Sequence, residues 1–205
     1  MMRAAKVALV LAAVLTLTAC QKRPDPAVVR AGFAAADFSQ ATQPLLLAEF
    51  ETARTVGLLG KAGVNGTVES WQSPDGVGLS LDRGVLVRTA GTGQGLLIAD
   101  ASGTRAALAG QGGAGYRKLY KHLTGDNQVA ETLFTCRMSG PVTEQVARVG
   151  KATQASHWQE DCSSGSNTIR NDYWTQGAGD VVKSRQWINA VAGYVITEVP
   201  VGSPR

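Results

Sequence analysis

The side chains in this 205-residue chain that could do chemistry are three cysteines, two histidines and a small group of carboxylates. His157, Glu160 and Asp161 stand close together, and Asp172 and Asp180 come later in the chain. On a strand, side chains alternate between faces, so His157 and Asp161 share one face and Glu160 points to the other. A metal site would need a third and a fourth ligand at workable spacing. None is convincing, and solvated polar residues beside a disulfide fit the pattern better. Glycoside hydrolysis would need two carboxyl groups about 5–10 Å apart in a cleft. Glu160, Asp161, Asp172 and Asp180 are the dense acidic set, and their separations depend on the fold. No Ser stands in a G-x-S-x-G elbow and no H-E-x-x-H occurs. Gly91-Thr92-Gly93-Gln94-Gly95 is glycine-rich but lacks the G-x-G-x-x-G spacing and a following helix. No catalytic residue, metal or cofactor is therefore expected.

The strongest chemical signal is Cys20. Arg3 and Lys6 precede an apolar run, Val7 to Leu17, interrupted by Thr16. Eleven helical residues reach about 16 Å, and a bilayer core of about 30 Å needs about twenty. The stretch is therefore a secretory leader and not a spanning helix. Leu17-Thr18-Ala19-Cys20 looks like a bacterial lipobox, at which the thiol is diacylated before cleavage. The competing reading is an ordinary leader with an incidental cysteine. Each buried acyl methylene contributes about 0.8 kcal/mol, and one chain holds a protein weakly. Three chains, palmitate among them, would anchor Cys20 to the membrane for good. Gln21, where an Asp would favour inner-membrane retention, points to the outer membrane facing the periplasm.

Removing residues 1–19 from the 205 leaves 186 and takes Arg3 and Lys6 away, so the formal charge falls from +4 to +2. Nothing in that balance calls for nucleic acid, which would need a basic stripe. Cys136 and Cys162 remain, 26 positions apart. In an oxidising compartment a disulfide is the default, and two separate buried thiols are the alternative.

These groups must be positioned by a chain with 24 Gly and low charge, which suits tight turns between strands. Four segments are expected: a leader over 1–19, a lipid-anchored tether and short helix over 20–44, a β-rich periplasmic domain over 45–200 and a tail over 201–205. Asp25-Pro26 is a capping acid with Pro at the first helical position, and predicts a helix over Ala27 to Phe38. Leu45 to Thr52 fits helix or strand, with strand favoured because the chain downstream is β throughout. Thr55 to Leu59 is apolar and is broken by Gly60 to Gly63. Ser73-Pro74-Asp75-Gly76 and Asp82-Arg83-Gly84 are turns inside a three-stranded meander from Val64 to Thr89. Ser102 to Gly115, with five Gly and four Ala, predicts a mobile loop. Tyr116 to Leu123 fits strand or helix. Val129 to Met138 and Val142 to Val149 predict two strands joined at Ser139-Gly140-Pro141. Thr153 to Glu160, Thr168 to Thr175, Val181 to Ile188 and Val191 to Val199 complete ten to twelve strands. The fold class is all-β, mainly an antiparallel meander, sandwich or barrel-like, with a short N-terminal helix.

Four tryptophans stand out where only 6% of residues are aromatic. Tyr173 and Trp174 could stack on a sugar ring, although core or sheet packing is the commoner use of such rings. Lys183 and Arg185 share a strand face with Trp187 and could meet an acidic polysaccharide, although a solvated sheet face explains them as well.

Several words in fixed order resemble the YjbF/GfcB family. They are Val68-Glu69-Ser70-Trp71-Gln72-Ser73-Pro74-Asp75-Gly76, Gly84-Val85-Leu86-Val87-Arg88-Thr89, Asn171-Asp172-Tyr173-Trp174 and Gly179-Asp180-Val181-Val182-Lys183-Ser184-Arg185-Gln186. The similarity spans roughly 45 to 200. It implies a Gram-negative lipoprotein linked to group 4 capsule and exopolysaccharide production, with a β-rich periplasmic domain. It also implies protein partners from a polysaccharide secretion system and a non-enzymatic accessory role. The alternatives are a glycan-binding module and, less favoured, a polysaccharide-modifying enzyme. The chain departs from the family at Thr89 to Leu96, where Ala90 and Gly95 replace the Arg and acidic residue usual around those glycines.

Overall fold

The structure, a computed structural model, describes residues 24–112 and 115–204. The leader, Cys20 and Gln21 lie outside the described residues.

Twelve strands run in chain order as β1 Leu45–Phe50, β2 Thr55–Asn65, β3 Val68–Gln72, β4 Gly78–Asp82, β5 Val85–Ala90, β6 Leu96–Ala99, β7 Tyr116–Leu123, β8 Val129–Arg148, β9 Lys151–Ser164, β10 Asn167–Gln176, β11 Asp180–Asn189 and β12 Gly193–Glu198. Among the described residues two α-helices accompany them, α1 Pro26–Ala34 and α2 Ser102–Leu108. The strands form one sheet in the order β5-β4-β3-β2-β1-β12-β11-β10-β9-β8-β7-β6. Every ladder is antiparallel. Sequence neighbours are therefore sheet neighbours, and the first strand pairs with the last through Leu47↔Glu198 to Phe50↔Val195. The sheet curls into a nearly closed barrel whose seam lies between β5 and β6. There the Leu96 amide donates to Thr89 Oγ1 at 2.9 Å, so a side chain does what a ladder does elsewhere. Near-closure protects most of the edges an open sheet would expose.

The interior is apolar over most of its length. Leu46, Ala48, Leu59, Trp71, Leu79, Leu81, Leu86, Phe134, Ile188 and Val195 form the main buried cluster. Tyr120, Phe134 and Trp187 meet edge to face inside it, with centroids 5.3–5.7 Å apart. Such contacts add about 0.5–1.5 kcal/mol each beyond the area they bury. A second apolar cluster lies on the opposite face of β1, where Phe33 and Phe38 pack with Leu47 and Val149. That cluster is why β1 is buried on both faces and why Leu45 to Thr52 gives no clean alternation in sequence. The α1 helix rides on this outer face. Asp25 caps it by accepting from the Ala27 amide, and Arg30 ties it down through Glu49 at 2.6 Å and the buried Glu198 at 3.3 Å.

Several expectations are corrected. The first helix stops at Ala34 instead of Phe38, because Asp37 caps a separate 3-10 turn, Phe38–Gln40, by accepting from the Ser39 amide at 3.0 Å. Gly60 to Gly63 does not break β2; the strand passes through with a bulge between Lys61 and Gly63. Ser139-Gly140-Pro141 does not join two strands either. β8 is one strand of 20 residues with a bulge between Ser139 and Val142. Pro141 is tolerated at that bulge, where the ladder is already interrupted. Finally, the segment after Ser102 is not all loop. It opens as α2, which buries Thr104, Ala107 and Leu108. Gly103 lets it approach, since a Cβ there would lie 2.4 Å from the Tyr116 ring.

Candidate functional site

Tyr173, Asn171 and Glu160 point inward from β10 and β9, Lys118 and Tyr116 from β7, and Thr104 reaches them from α2. Glu160 and Lys118 are 0% and 1% exposed and pair at 2.9 Å. The carboxylate also accepts from Tyr116 OH at 2.6 Å, Asn171 Nδ2 at 2.7 Å, Tyr173 OH at 3.2 Å and the Thr104 hydroxyl. Burial pushes this carboxyl up, but the Lys118 ammonium and the surrounding donors outweigh burial and hold it below the ordinary range. Burial alone would lower the Lys118 ammonium; the Glu160 carboxylate reverses that and raises it. Burial and the same carboxylate push the Tyr116 and Tyr173 phenols up. The pair is thus an ion pair, saturated with hydrogen bonds and cut off from solvent. It is suited to fixing the interior. Sequence reasoning placed Glu160 among solvated residues, and this is a correction. The signal was present: Tyr116, Lys118, Tyr120 and His122 recur at period two, the mark of one inward face.

Cys136 and Cys162 sit opposite each other on β8 and β9 and are joined, both buried. Glu160 lies near enough to complete a three-residue cluster, but both thiols are consumed by the disulfide.

The expected glycan-contact residues divide. Tyr173 is fully buried, with its hydroxyl between Glu160 and Gln186 Oε1, so its ring cannot meet a ligand. This too is a correction, and its cause is strand alternation: Tyr173 falls on the inward phase and Trp174 on the outward. Trp174 stacks on His157 at 4.7 Å on one side and carries Lys183 at 5.7 Å. Its indole N–H donates to Glu144 at 2.6 Å. Lys183 donates to the Ala147 carbonyl at 2.8 Å. Arg185 grips Glu51 through two bonds of 2.7 and 2.8 Å and covers the Tyr194 ring at 3.6 Å. These side chains form a ring of intramolecular contacts that staples β8 to β12 from outside. The acidic set is scattered as well. Glu160 is inside, Asp161 pairs with Arg170 at 2.7 Å, Asp172 meets His157 Nε2 at 3.0 Å, and Asp180 lines a cleft at one end of the barrel.

The turns β2–β3, β4–β5 and β10–β11 gather around this cleft, which has a volume of about 770 Å³. That is within the range of about 300–1,000 Å³ usual for small-molecule sites. Four cations, Lys61, Arg83, Arg105 and Arg148, and two carboxylates, Glu69 and Asp180, line it. Trp71 stands in its wall, 5% exposed, in register with Lys61, whose ammonium lies 5.1 Å from the ring centroid. Lys61 pairs with Glu69 at 2.7 Å and Arg105 with Asp82 at 2.5 Å. Arg148 donates to the Val199 carbonyl and to Gln176. A second cavity of about 540 Å³ opens at the other end, beside His122 and Trp187. His122 Nε2–H donates to the Ile188 carbonyl at 2.7 Å there, and burial lowers its pKa. Neither cavity can be read from local sequence, because each is assembled from turns far apart in the chain.

A family model described as group 4 capsule polysaccharide lipoprotein gfcB, YjbF, matches residues 21–199. The crystal structure of the hypothetical lipoprotein YmcC from Escherichia coli (K12) is similar to this fold, with a TM-score of 0.70 at 19% identity, covering 90% of this chain and 99% of that one. No curated protein matches by sequence.

Proposed function

Because the chain belongs to the YjbF family of group 4 capsule polysaccharide lipoproteins, we propose that it is an outer-membrane lipoprotein, anchored through acylated Cys20, that serves polysaccharide secretion or assembly as a non-enzymatic accessory. The family match over residues 21–199 is the observation that carries this reading. Gln21 beside the anchor favours the outer membrane, and the tether leaves the barrel facing the periplasm. Of Glu160, Asp161, Asp172 and Asp180, Glu160 is sealed inside and Asp180 alone lines the cleft, which favours an accessory over a glycan hydrolase, whose two carboxyls must face one bond. The mechanism is presentation of a rigid β surface to partner proteins of the secretion system, or to the polymer itself.

Deleting the gene in a strain that makes a surface polysaccharide tests this. Cell-surface polymer is expected to fall severalfold while total protein secretion is unaffected; unchanged surface polymer would refute the proposal.

A further inference from the structure

We propose that the cleft at the β2–β3 end of the barrel binds a carboxylated saccharide segment, with the Trp71 indole N–H as a buried hydrogen-bond donor and Arg83 as the cation at its rim. The inference rests on the accessory role in polysaccharide secretion and gives it a site.

Two observations carry it. The first is the orphaned donor. Trp71 is 5% exposed and lines the cleft, yet its Nε1–H has no acceptor among the described residues. A buried donor without a partner costs about 1–3 kcal/mol. Thr153 Oγ1, also on the cleft wall, is unpartnered in the same way. Two other indoles in this protein are satisfied: Trp158 donates to Thr175 at 3.0 Å and Trp174 to Glu144 at 2.6 Å. The second is charge. Cations outnumber carboxylates around the cleft, and Lys61 and Arg105 are held in place by Glu69 and Asp82. Arg83 is exposed at the β4–β5 turn; it forms no ion pair within 4 Å among the described residues, and the carboxylate its charge reaches, Asp82, is already gripped by Arg105. A ligand that offers acceptors to an N–H and a hydroxyl at depth, and negative charge at the rim, answers both. Sugar hydroxyls and ring oxygens supply the first, and a uronic carboxylate the second. Stacking plays no part, because the indole is buried and Lys61 already lies against it.

The test is two-dimensional NMR of the four indole N–H signals in the full mature protein in detergent, titrated with a trigalacturonate, a neutral galactose trisaccharide, inorganic phosphate and a triglutamate peptide. Trp71→Phe identifies the Trp71 signal and keeps an aromatic ring in place. The Trp71 signal is expected to move with trigalacturonate and hardly with the neutral sugar, and Arg83→Gln is expected to weaken that binding about tenfold with an unchanged spectrum elsewhere. Three results would overturn the proposal: no movement of the Trp71 signal, equal movement with the neutral sugar, or a stronger response to phosphate or triglutamate than to the saccharide. Failure here together with loss of surface polymer on deletion would remove the cleft and leave the accessory role standing.

Discussion

Lys118→Met is expected to lower the stability of the barrel by about 3–5 kcal/mol, the usual cost of stranding one half of a buried ion pair. For a domain of this size that corresponds to a fall in Tm of roughly 6–20 °C. The reason is specific to the site. Glu160 is fully buried and would lose the only cation it contacts among the described residues, leaving its carboxyl to four hydrogen-bond donors. Pairing the change with Glu160→Gln removes the charge and preserves an acceptor, so the double variant is expected to be more stable than Lys118→Met alone. Thermal unfolding of the two singles and the double measures that coupling. Purely additive losses would mean the pair does not act as a unit. The pH dependence comes from the same groups. The Glu160 carboxyl is held below its unfolded value of 4.5, so its contribution is present above about pH 4.5 and is lost as pH falls through the folded value. The Lys118 ammonium is raised above 10.5, so its contribution is present below that pH and is lost as pH rises through the folded value. Both slopes should flatten in the double variant.

Removing the disulfide with Cys136→Ala and Cys162→Ala is expected to cost about 3–4 kcal/mol, from the chain entropy of a loop closed over 26 positions. The loop holds most of β8 and β9, the two longest strands. Denaturant unfolding of the wild type with and without reductant reads the same quantity independently. A loss below about 1 kcal/mol in both would mean that the hairpin is already closed in the unfolded ensemble. The bond sits two residues from Glu160, so the two perturbations are close enough to couple. The triple variant with Lys118→Met should therefore be measured and not inferred.

The fold was largely legible because local signals agreed with it. Gly76 and Gly84 adopt the positive φ that their turns demand, and Arg83 does as well. The meander from Val64 to Thr89, the Asp25 cap and the last hairpin arise from residues adjacent in sequence. The misread segments lie where tertiary contacts override local pattern. Ala-rich 102–108 has few large side chains, but it becomes helical because Thr104, Ala107 and Leu108 find a surface to cover. Glycines 60 and 63 resemble a break, yet the ladders of β1 and β3 on either side carry the strand through. At the candidate site, the Tyr173-Trp174 pair reads as one aromatic patch only until alternation sends one ring to each side of the wall. The cleft was invisible for a different reason. Lys61, Arg105 and Arg148 are far apart in the chain and converge only because the sheet closes on itself. The single clue to it, Trp71, lies inside a segment that also carries the family resemblance.

The seam between β5 and β6 is bridged by the segment from Thr89 to Leu96. In this protein the seam is held by Thr89, whose hydroxyl also meets Thr92 at 3.0 Å. The glycines there serve a tight crossover from one half-barrel to the other: a Cβ on Gly91 would lie 2.5 Å from the Gly76 carbonyl oxygen. The local sequence is thus accounted for by closure of the sheet.

The most direct test of a membrane-moored accessory is complementation of the deletion strain with wild-type protein and with Cys20→Ser, comparing surface polysaccharide at matched periplasmic protein levels. The wild type is expected to restore the polymer, and Cys20→Ser, exported without its acyl chains, to leave it near the deletion level. Full restoration by Cys20→Ser would contradict the proposal that the anchor places this barrel where it works.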